Sequence, residues 1–423
     1  AMLYMELSTC FEYRTTQVES LNSDAQSMGV VGLTVPIVNE KTSKTDLSNN
    51  PRVPFYTMYR FIMTDLNRAE KYLEGYEQAT KAHINRPVVY GLKARLWLDL
   101  ASRFEREPDA LAKQMSAEGA SDGYDDLGIN SAMDCYAKAA EYARKAIAGG
   151  NTPLTEDQWM NSKTGFNTPQ SSWMLGTYVT SKEEVNTGYY YCTFIAQMTS
   201  EPTWGMARYG KAFRMIGKSL YDKISDKDWR KNSWIAPEDA GKTDIPEKYR
   251  TELKGGDWSK LPAYTNLKFR PGSGSISTIE TGLIASLPIM RVEEMYFIRF
   301  EAIAHTESVA AAANEMAAFL NTYRYTDGSY VCEATDLDSF ITELMIQRRI
   351  EFWGEGINYF AYKRLGLPVT RTYEGSNWLS SQRLNSKAGY TAPWMNYVIP
   401  EYEKDNNQGV ILNPDPSGTI IAD

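Results

Sequence analysis

A helical periodicity that is interrupted once constrains the fold of this 423-residue chain more than any other feature. Apolar residues recur at three- and four-residue steps over 55–74, 87–104 and 131–148, and again over 288–305, 308–324 and from about Asp336 onward. Residues 151–283 lack this periodicity and are rich in glycine, proline, serine, threonine and aromatic residues, with short strand-like pieces such as 173–179. The pattern predicts a mostly α-helical protein with a long irregular insert.

The first two predicted helices are joined by a short connection, which favours an antiparallel helical hairpin. Such hairpins are the units of tetratricopeptide-like scaffolds, although the strict consensus of that repeat is absent. Irregular segments as long as this insert tend to be functional. We therefore predict a single lobe of four segments: N-terminal helical hairpins over 1–150, a loop-rich ligand-binding insert over 151–283, a helical scaffold over 284–366 and an irregular C-terminal segment over 367–423. Residues 105–130, rich in Glu, Asp, Gly and Ser, predict a solvated insertion.

Composition narrows the possible functions. A net charge of −8 argues against a nucleic-acid partner, which would need a basic stripe. No apolar run is long enough for a membrane-spanning helix. The four cysteines are scattered without a CxxC pair and are interpreted as buried free thiols. No motif for a metal, nucleotide or other cofactor occurs, and the two histidines, His83 and His305, are interpreted as surface or packed residues.

Two groups of acidic residues have alternative interpretations. Glu351 and Glu355 are four residues apart, so on a helix both carboxylates would share a face, as a glycosidase pair requires. Arg348 and Arg349 lie on the preceding turn, which favours structural ion pairing instead. The acidic loop with Asp122, Asp125 and Asp126 lacks the ligand spacing of an EF-hand, and a solvated face is favoured over calcium binding.

Aromatic residues are the strongest candidates for a binding site. Of ten tryptophans, only Trp97 and Trp353 fall within segments that the periodicity assigns firmly to helices. Aromatic residues outside a helical framework either pin loops to a core or offer flat faces to a ligand. A sugar ring stacks its apolar C–H face on such a surface, while neighbouring polar residues bind its hydroxyls. The candidate ligand-binding residues are Trp173, Asn186, Tyr189, Tyr191, Trp204, Arg208 and Tyr209.

Trp204 is the first choice among these candidates. Pro202 and the glycines at 205 and 210 indicate a turn-rich loop, which is expected to leave one face of the indole exposed. On this interpretation Trp204→Ala abolishes saccharide binding and leaves the melting temperature nearly unchanged. A tryptophan that pins a loop to the core predicts the reverse.

Several motifs, in consistent order along the chain, resemble those of one family. They are YRFIMTDLNRAEKYL over 59–73, the helix over 136–147, LPIMRVEEMYFIRFEA over 287–302, LNTYR over 320–324, QRRIEFWGEG over 347–356 with KRLG over 363–366, and the closing YVIP over 397–400 and LNP over 412–414. Together they are similar to the SusD/RagB family of nutrient-binding lipoproteins. Gln347, Asn358 and Ala361 depart from the usual residues of the family signature.

The resemblance implies a function as well as a fold. Members of the family capture carbohydrate at the cell surface as lipid-anchored outer-membrane proteins of Bacteroidetes-type bacteria, and they deliver it to a SusC-like TonB-dependent transporter. They catalyse nothing. The start of the chain looks like the interior of an early helix, so the lipid anchor and part of the binding face are expected to precede it.

The leading hypothesis is therefore a non-enzymatic glycan-binding protein that associates with an outer-membrane transporter. A glycoside hydrolase that acts through Glu351 and Glu355 is one alternative. A tetratricopeptide-like scaffold that binds peptides in a helical groove is another. The sequence does not name the glycan.

Overall fold

A computed structural model describes residues 1–185 and 188–419 of the chain. Its α-helices are, in chain order, α1 Met2–Phe11, α2 Glu19–Ser27, α3 Lys44–Leu47, α4 Phe55–Tyr72, α5 Arg86–Arg106, α6 Pro108–Ala117, α7 Ala132–Ile147, α8 Glu156–Met160, α9 Phe194–Met198, α10 Gly205–Tyr209, α11 Lys218–Tyr221, α12 Gly255–Trp258, α13 Ile279–Gly282, α14 Val292–Thr306, α15 Val309–Tyr323, α16 Leu337–Glu351, α17 Ile357–Leu365 and α18 Glu401–Asn406. None of the described helices is long and apolar enough to cross a lipid bilayer.

Two short strands accompany the helices. β1 Trp173–Gly176 pairs antiparallel with β2 Pro288–Arg291, with Trp173 opposite Arg291 and Gly176 opposite Pro288. Turns of 3-10 helix complete the regular structure, at Lys182–Glu184, Tyr190–Cys192, Trp229–Ser233, Glu247–Tyr249, Gly272–Gly274, Ser380–Gln382, Pro393–Met395 and Ser417–Thr419. The mostly α-helical class predicted from the periodicity is confirmed.

The chain forms two compact units. Unit 1 comprises residues 1–74, 92–139 and the chain from Ile357 onward, and unit 2 comprises residues 75–91 and 140–356. The division into four segments that the sequence suggested stays a prediction.

In unit 1, α4 and α5 form the predicted antiparallel hairpin. The Tyr59 hydroxyl donates to Asp99 at 2.7 Å near one end of the pair. Lys93 binds Asn67 and Glu70 further along, so the residue numbers of the partners run in opposite directions. The apolar residues at the three- and four-residue steps are buried in α4 from Phe55 to Leu66. The whole run from Met58 to Thr64 is buried as well, so this part of the helix is covered on more than one face.

In unit 2, α14 and α15 form a second hairpin, and both pack against α16. Phe297 and Phe300 meet Phe319 with ring centroids 6.1 and 5.9 Å apart. The helix starts are fixed by side chains: Ser308 caps α15, and Asp336 forms a reciprocal capping box with Ser339 at α16.

Two predicted boundaries were wrong, and Trp353, which the periodicity assigned to a helix, lies in the turn after α16 ends at Glu351. Residues 108–117 of the expected solvated insertion form α6, which begins with a proline at its first turn. Only Ala110 and Gln114 of this helix are buried, so its sequence carries almost no apolar stripe to reveal it. The helix predicted to start at 288 begins at Val292, because residues 288–291 pair with β1 instead.

The acidic loop after α6 is held by one buried arginine. The Arg60 guanidinium donates to Asp122 at 2.8 Å and to the Tyr124 carbonyl at 2.8 Å, and it lies 3.3 Å from Asp126. Asp125 accepts from the Asn67 amide at 2.8 Å. The carboxylates of this loop therefore anchor it to α4.

All four cysteines are free, as predicted. The expectation that they are buried holds only for Cys135, whose pKa burial raises to about 12. Cys10 and Cys332 are half-buried, and Cys192 is exposed at the end of the 3-10 turn Tyr190–Cys192.

Candidate functional site

Four tyrosines of unit 2, Tyr189, Tyr190, Tyr191 and Tyr209, form an exposed cluster that we call the tyrosine patch. Tyr189, Tyr191 and Tyr209 expose 64%, 45% and 71% of their surface. The Tyr191 ring centroid lies 6.3 Å from that of Tyr189 and 5.9 Å from that of Tyr190. The hydroxyls of Tyr190 and Tyr209 are hydrogen-bonded to each other. Loss of solvent, the negative charge that Tyr209 carries when ionised, and this hydrogen bond together raise the pKa of Tyr190.

A tight turn presents the three consecutive tyrosines. The Cys192 N–H donates to the Tyr189 carbonyl and the Thr193 N–H to the Tyr190 carbonyl, both at 2.9 Å, which closes a 3-10 turn. Residues in such a turn are spaced by about 120°, so successive side chains point in different directions and cannot all enter the core. Thr193 then caps α9, since its Oγ1 accepts from the Ala196 N–H at 3.2 Å.

Trp204 is buried, and the prediction of an exposed indole face was wrong. Its side chain is 2% exposed, packs in a core with Ile195 and Leu283, and donates from Nε1 to the Ser275 carbonyl at 3.2 Å. Gly282 makes this burial possible, because a Cβ there would come within 2.2 Å of the Trp204 Cζ2. The turn predicted around Trp204 exists, but a glycine distant in sequence leaves room for the whole ring.

The buried indole still contributes to the patch indirectly. The Trp204 ring centroid lies 6.4 Å from that of Tyr190 in an edge-on contact. α10, which starts directly after Trp204 and ends at Tyr209, packs against α9 and against the turn that carries Tyr190. Trp204 is therefore a support beneath the tyrosines rather than a surface for a ligand.

Trp173 is also unavailable to a ligand. It is fully buried in β1, opposite Arg291 of β2, and its ring edge lies against the Gly176 backbone. Strand pairing and close packing of this glycine place the indole inside unit 2. The assignment of Trp173 to a binding surface was wrong for this reason.

The remaining candidates are exposed or lie outside the described residues. Tyr189, Tyr191 and Tyr209 meet in the tyrosine patch, and Arg208 is exposed next to Tyr209. Asn186 lies outside the residues that the structure describes.

Two polar residues next to the patch were missing from the predicted site. The Arg214 guanidinium donates to Gln197 Oε1 at 3.2 Å, and Gln197 Nε2 donates to the Tyr191 carbonyl at 3.4 Å. Gln197 lies on α9, six residues after Tyr191, and its position among the aromatic residues of the insert was the available signal. Arg214 lies outside any periodic segment, so only the folded chain places it here.

The carboxylate pair is structural. Glu351 is fully buried and accepts from Arg230, Arg291 and Arg324 at 2.8–3.1 Å. Although burial by itself raises it, the charges of Arg324 and Arg291 lower the pKa of Glu351 well below its ordinary value. Glu355 accepts from Arg291 at 2.9 Å and from Lys268 at 2.6 Å.

The predicted ion pairing of these carboxylates is thus confirmed, but its partners were wrong. Arg230, Arg291 and Arg324 replace the adjacent Arg348 and Arg349. Among the described residues, no group of three or more His, Cys, Asp or Glu side chains is placed to hold a metal ion.

Solved structures give the clearest comparison. The chain is similar to a SusD-like carbohydrate binding protein from Bacteroides vulgatus, with a TM-score of 0.64, 20% identity, and 96% of this chain and 74% of that chain covered. It is similar to a SusD superfamily protein from Bacteroides thetaiotaomicron, with a TM-score of 0.61, 18% identity, and 98% and 76% covered. A SusD superfamily protein from Parabacteroides distasonis matches with a TM-score of 0.58, 14% identity, and 90% and 73% covered.

Sequence comparisons add no further relative. No protein-family model matches the chain, and no curated protein does. The fold is therefore that of the SusD-like proteins, and the resemblance inferred from the motifs is confirmed at the level of the fold.

Proposed function

We propose that this chain binds saccharides at the tyrosine patch, within the insert over 151–283, and catalyses no reaction on them. The observation that carries the proposal is the exposure of Tyr189, Tyr191 and Tyr209 on a SusD-like fold. Exposed aromatic rings that lie together on a soluble protein commonly mark a binding surface.

The chemistry of the patch suits a sugar. Tyrosine rings offer flat apolar faces for the C–H face of a pyranose, and their hydroxyls donate and accept hydrogen bonds at the rim. Gln197 and Arg208 supply polar groups for the hydroxyls of the sugar. Exposed rings on turns and short helices suit a long polymer better than a small molecule that must be enclosed.

The proposal of a role without catalysis has its own support. A carboxylate that acts on a glycosidic bond must reach the bond, and Glu351 is fully buried among three arginines. A reducing-end assay on a panel of polysaccharides tests this part of the proposal. Multiple turnovers that Glu351→Gln abolishes would contradict it.

We further propose that the protein works at the outer surface of the outer membrane, lipid-anchored in its full-length form, and passes its saccharide to a SusC-like TonB-dependent transporter. The likeness to SusD-like proteins of Bacteroides and Parabacteroides supports this role. The test is to sequence the whole gene and its neighbours. A lipobox cysteine and an adjoining transporter gene are expected, and the absence of both would contradict the proposal.

Calorimetric titration of a saccharide panel tests the binding site itself. Tyr209→Ala is expected to weaken binding about thirtyfold, because one stacking ring in a binding hot spot contributes about 2 kcal/mol. Thermal unfolding should be nearly unchanged, since Tyr209 exposes 71% of its surface.

The matched control for Tyr209→Ala is Tyr72→Ala. Tyr72 is 79% exposed at the end of α4 in unit 1 and takes no part in the patch. The Tyr72→Ala substitution should leave both the saccharide affinity and the melting temperature unchanged. Equal affinity of the Tyr209→Ala variant and the wild type for every ligand of the panel would remove the patch from the proposal.

A further inference from the structure

Three cations lie within the seven residues 208–214, which include Tyr209 of the patch. Arg208 and Lys211 are exposed, and Arg214 is half-buried. Within the part of the chain that the structure describes, none of the three forms an ion pair, and the Arg214 guanidinium donates only to the neutral Gln197. The segment from 205 to 214 contains no acidic residue.

The backbone fixes the position of Lys211. The N–H groups of Gly210 and Ala212 both donate to the Met206 carbonyl, at 2.9 and 3.3 Å, so the chain folds back at the end of α10. Lys211 adopts φ 51° in this turn, a left-handed conformation that is unfavourable for a residue with a side chain. Residues held in such conformations are concentrated at functional sites. The turn keeps a lysine two residues from the exposed ring of Tyr209.

Arg214 reaches the patch from the other direction. Its backbone carbonyl accepts from the Asn266 N–H at 2.9 Å, and its guanidinium donates to Gln197, which in turn donates to the Tyr191 carbonyl. The guanidinium is therefore held one side chain away from the tyrosines. Its other N–H groups have no partner among the described residues, which leaves them free for a ligand.

The acidic residues nearest in sequence are occupied elsewhere. Glu184 accepts from the N–H groups of Thr180 and Ser181 and caps its own turn. Glu201 is buried and pairs with Arg270 at 2.9 Å. The positive charge beside the tyrosines is thus not neutralised by these carboxylates, whereas buried arginines of the same unit, such as Arg230, are matched by carboxylates.

We propose that the saccharide bound at the tyrosine patch is anionic, with carboxylate or sulfate groups that Arg208, Lys211 and Arg214 contact. This inference rests on the proposed function, because it concerns the ligand of the same site. Guanidinium groups bind carboxylate and sulfate oxygens through paired N–H donors, and an ammonium adds a point charge. A sugar that carries an acid group therefore meets both the rings and the charges.

Matched probes isolate the charge of the ligand. In the fully methyl-esterified form of oligogalacturonate, each carboxylate is replaced by an uncharged methyl ester. Chondroitin sulfate and chemically desulfated chondroitin differ only in sulfate, so the two pairs separate carboxylate from sulfate recognition. Calorimetric titration is expected to show at least one acidic probe binding about tenfold more tightly than its less charged partner. That affinity should fall as NaCl rises from about 50 mM to about 500 mM, since salt screens exposed charges.

Variants of Lys211 and Arg214 test whether these cations bind the acid groups. Lys211→Gln and Arg214→Gln should each weaken the acidic probe about threefold and leave a neutral probe unaffected. The control is Lys223→Gln, which changes an exposed lysine of unit 2 outside the patch.

The outcomes separate this inference from the function on which it rests. Binding of neutral saccharides alone, or acidic affinity that neither variant changes, overturns the inference and leaves the proposed function intact. A protein that binds no saccharide of any kind overturns both.

Discussion

Two regions of unit 2 use charged and aromatic side chains in opposite ways. Around Glu351, three buried arginines share one carboxylate, and Lys268 and Arg291 share Glu355. Around Tyr209, rings remain in water, and the neighbouring cations lack carboxylate partners among the described residues. We call the first region the charge network.

The difference separates structural residues from residues available to a ligand. A buried charge without a partner is strongly unfavourable, so the charge network satisfies its members internally. An exposed ring or cation without a protein partner costs little free energy because water solvates it. The groups of the patch can therefore remain without protein partners and available to a ligand. Charge and aromatic content alone do not distinguish the two regions; the distinction is which groups already have partners.

The largest effect is expected from Glu351→Ala. Removal of this carboxylate leaves Arg230, Arg291 and Arg324 buried without their shared partner, at a cost near the upper end of about 3–5 kcal/mol. Urea denaturation should show a fall of that size in the free energy of unfolding, or no folded protein at all.

A surface pair provides the comparison for Glu351. Glu315 pairs with Arg299 at 2.7 Å where both side chains are partly exposed, and Glu315→Ala should cost less than about 1 kcal/mol. Similar losses for the two variants would remove the distinction between the charge network and the surface.

Trp204→Ala should destabilise the protein nearly as much, by about 3–5 kcal/mol, because it leaves a cavity beneath the patch. Saccharide binding should weaken as well, since Tyr190 loses the ring against which it packs. Thermal melting and titration of the same sample measure both effects. An unchanged melting temperature together with lost binding would restore Trp204 as a ligand-stacking residue.

A pH series probes the charge network through Lys268. Burial lowers the pKa of this lysine to about 8 from an ordinary 10.5, against the opposing effect of Glu355. Between these two values the unfolded chain binds more protons than the folded one, so the contribution of Lys268 to stability rises with pH. Relative to Lys268→Met, wild-type stability should increase by about 2 kcal/mol from pH 8 to pH 10. Parallel profiles of the two proteins would contradict the shift.

The smallest effect is expected within the patch. Tyr190→Phe removes the hydroxyl that bonds Tyr209 but keeps the ring. A hydrogen bond at an accessible site contributes about 0.5–1 kcal/mol, so titration should show a two- to fivefold loss of affinity. The melting temperature should stay within about 1 °C of the wild type. A loss of affinity as large as that of Tyr209→Ala would mean that the Tyr190 hydroxyl, rather than the Tyr209 ring, contributes most to saccharide binding.

The helical framework could be predicted because its signals are local. The apolar steps over 55–74 gave α4 within two residues, and Asp336 marked the start of α16. α6 was not predicted because so little of it is buried. The start of α14 was predicted wrongly because residues 288–291 pair with β1, which lies more than a hundred positions away in the sequence. Local periodicity carries no information about such distant partners.

The site was predictable only in part. Tyr189, Tyr191, Arg208 and Tyr209 were predicted as ligand-binding residues because aromatic and polar residues are interspersed there, and all four are exposed. Burial of Trp204 could not be read from its own neighbourhood, since the room for the indole comes from Gly282. In the same way, the pairing of Glu351 follows from its chemistry, but the identity of its arginine partners is set by the tertiary fold.

The contact between Gly282 and Trp204 also has an evolutionary consequence. The two positions should covary among homologous genes: a lineage that acquires alanine or a larger residue at 282 must replace the tryptophan at 204 with a smaller side chain, or shift α10. Either change would alter the orientation of the Tyr209 side chain and therefore which ligands bind. A substitution at Gly282 can therefore change ligand preference in such lineages even though every residue that contacts the ligand is unchanged.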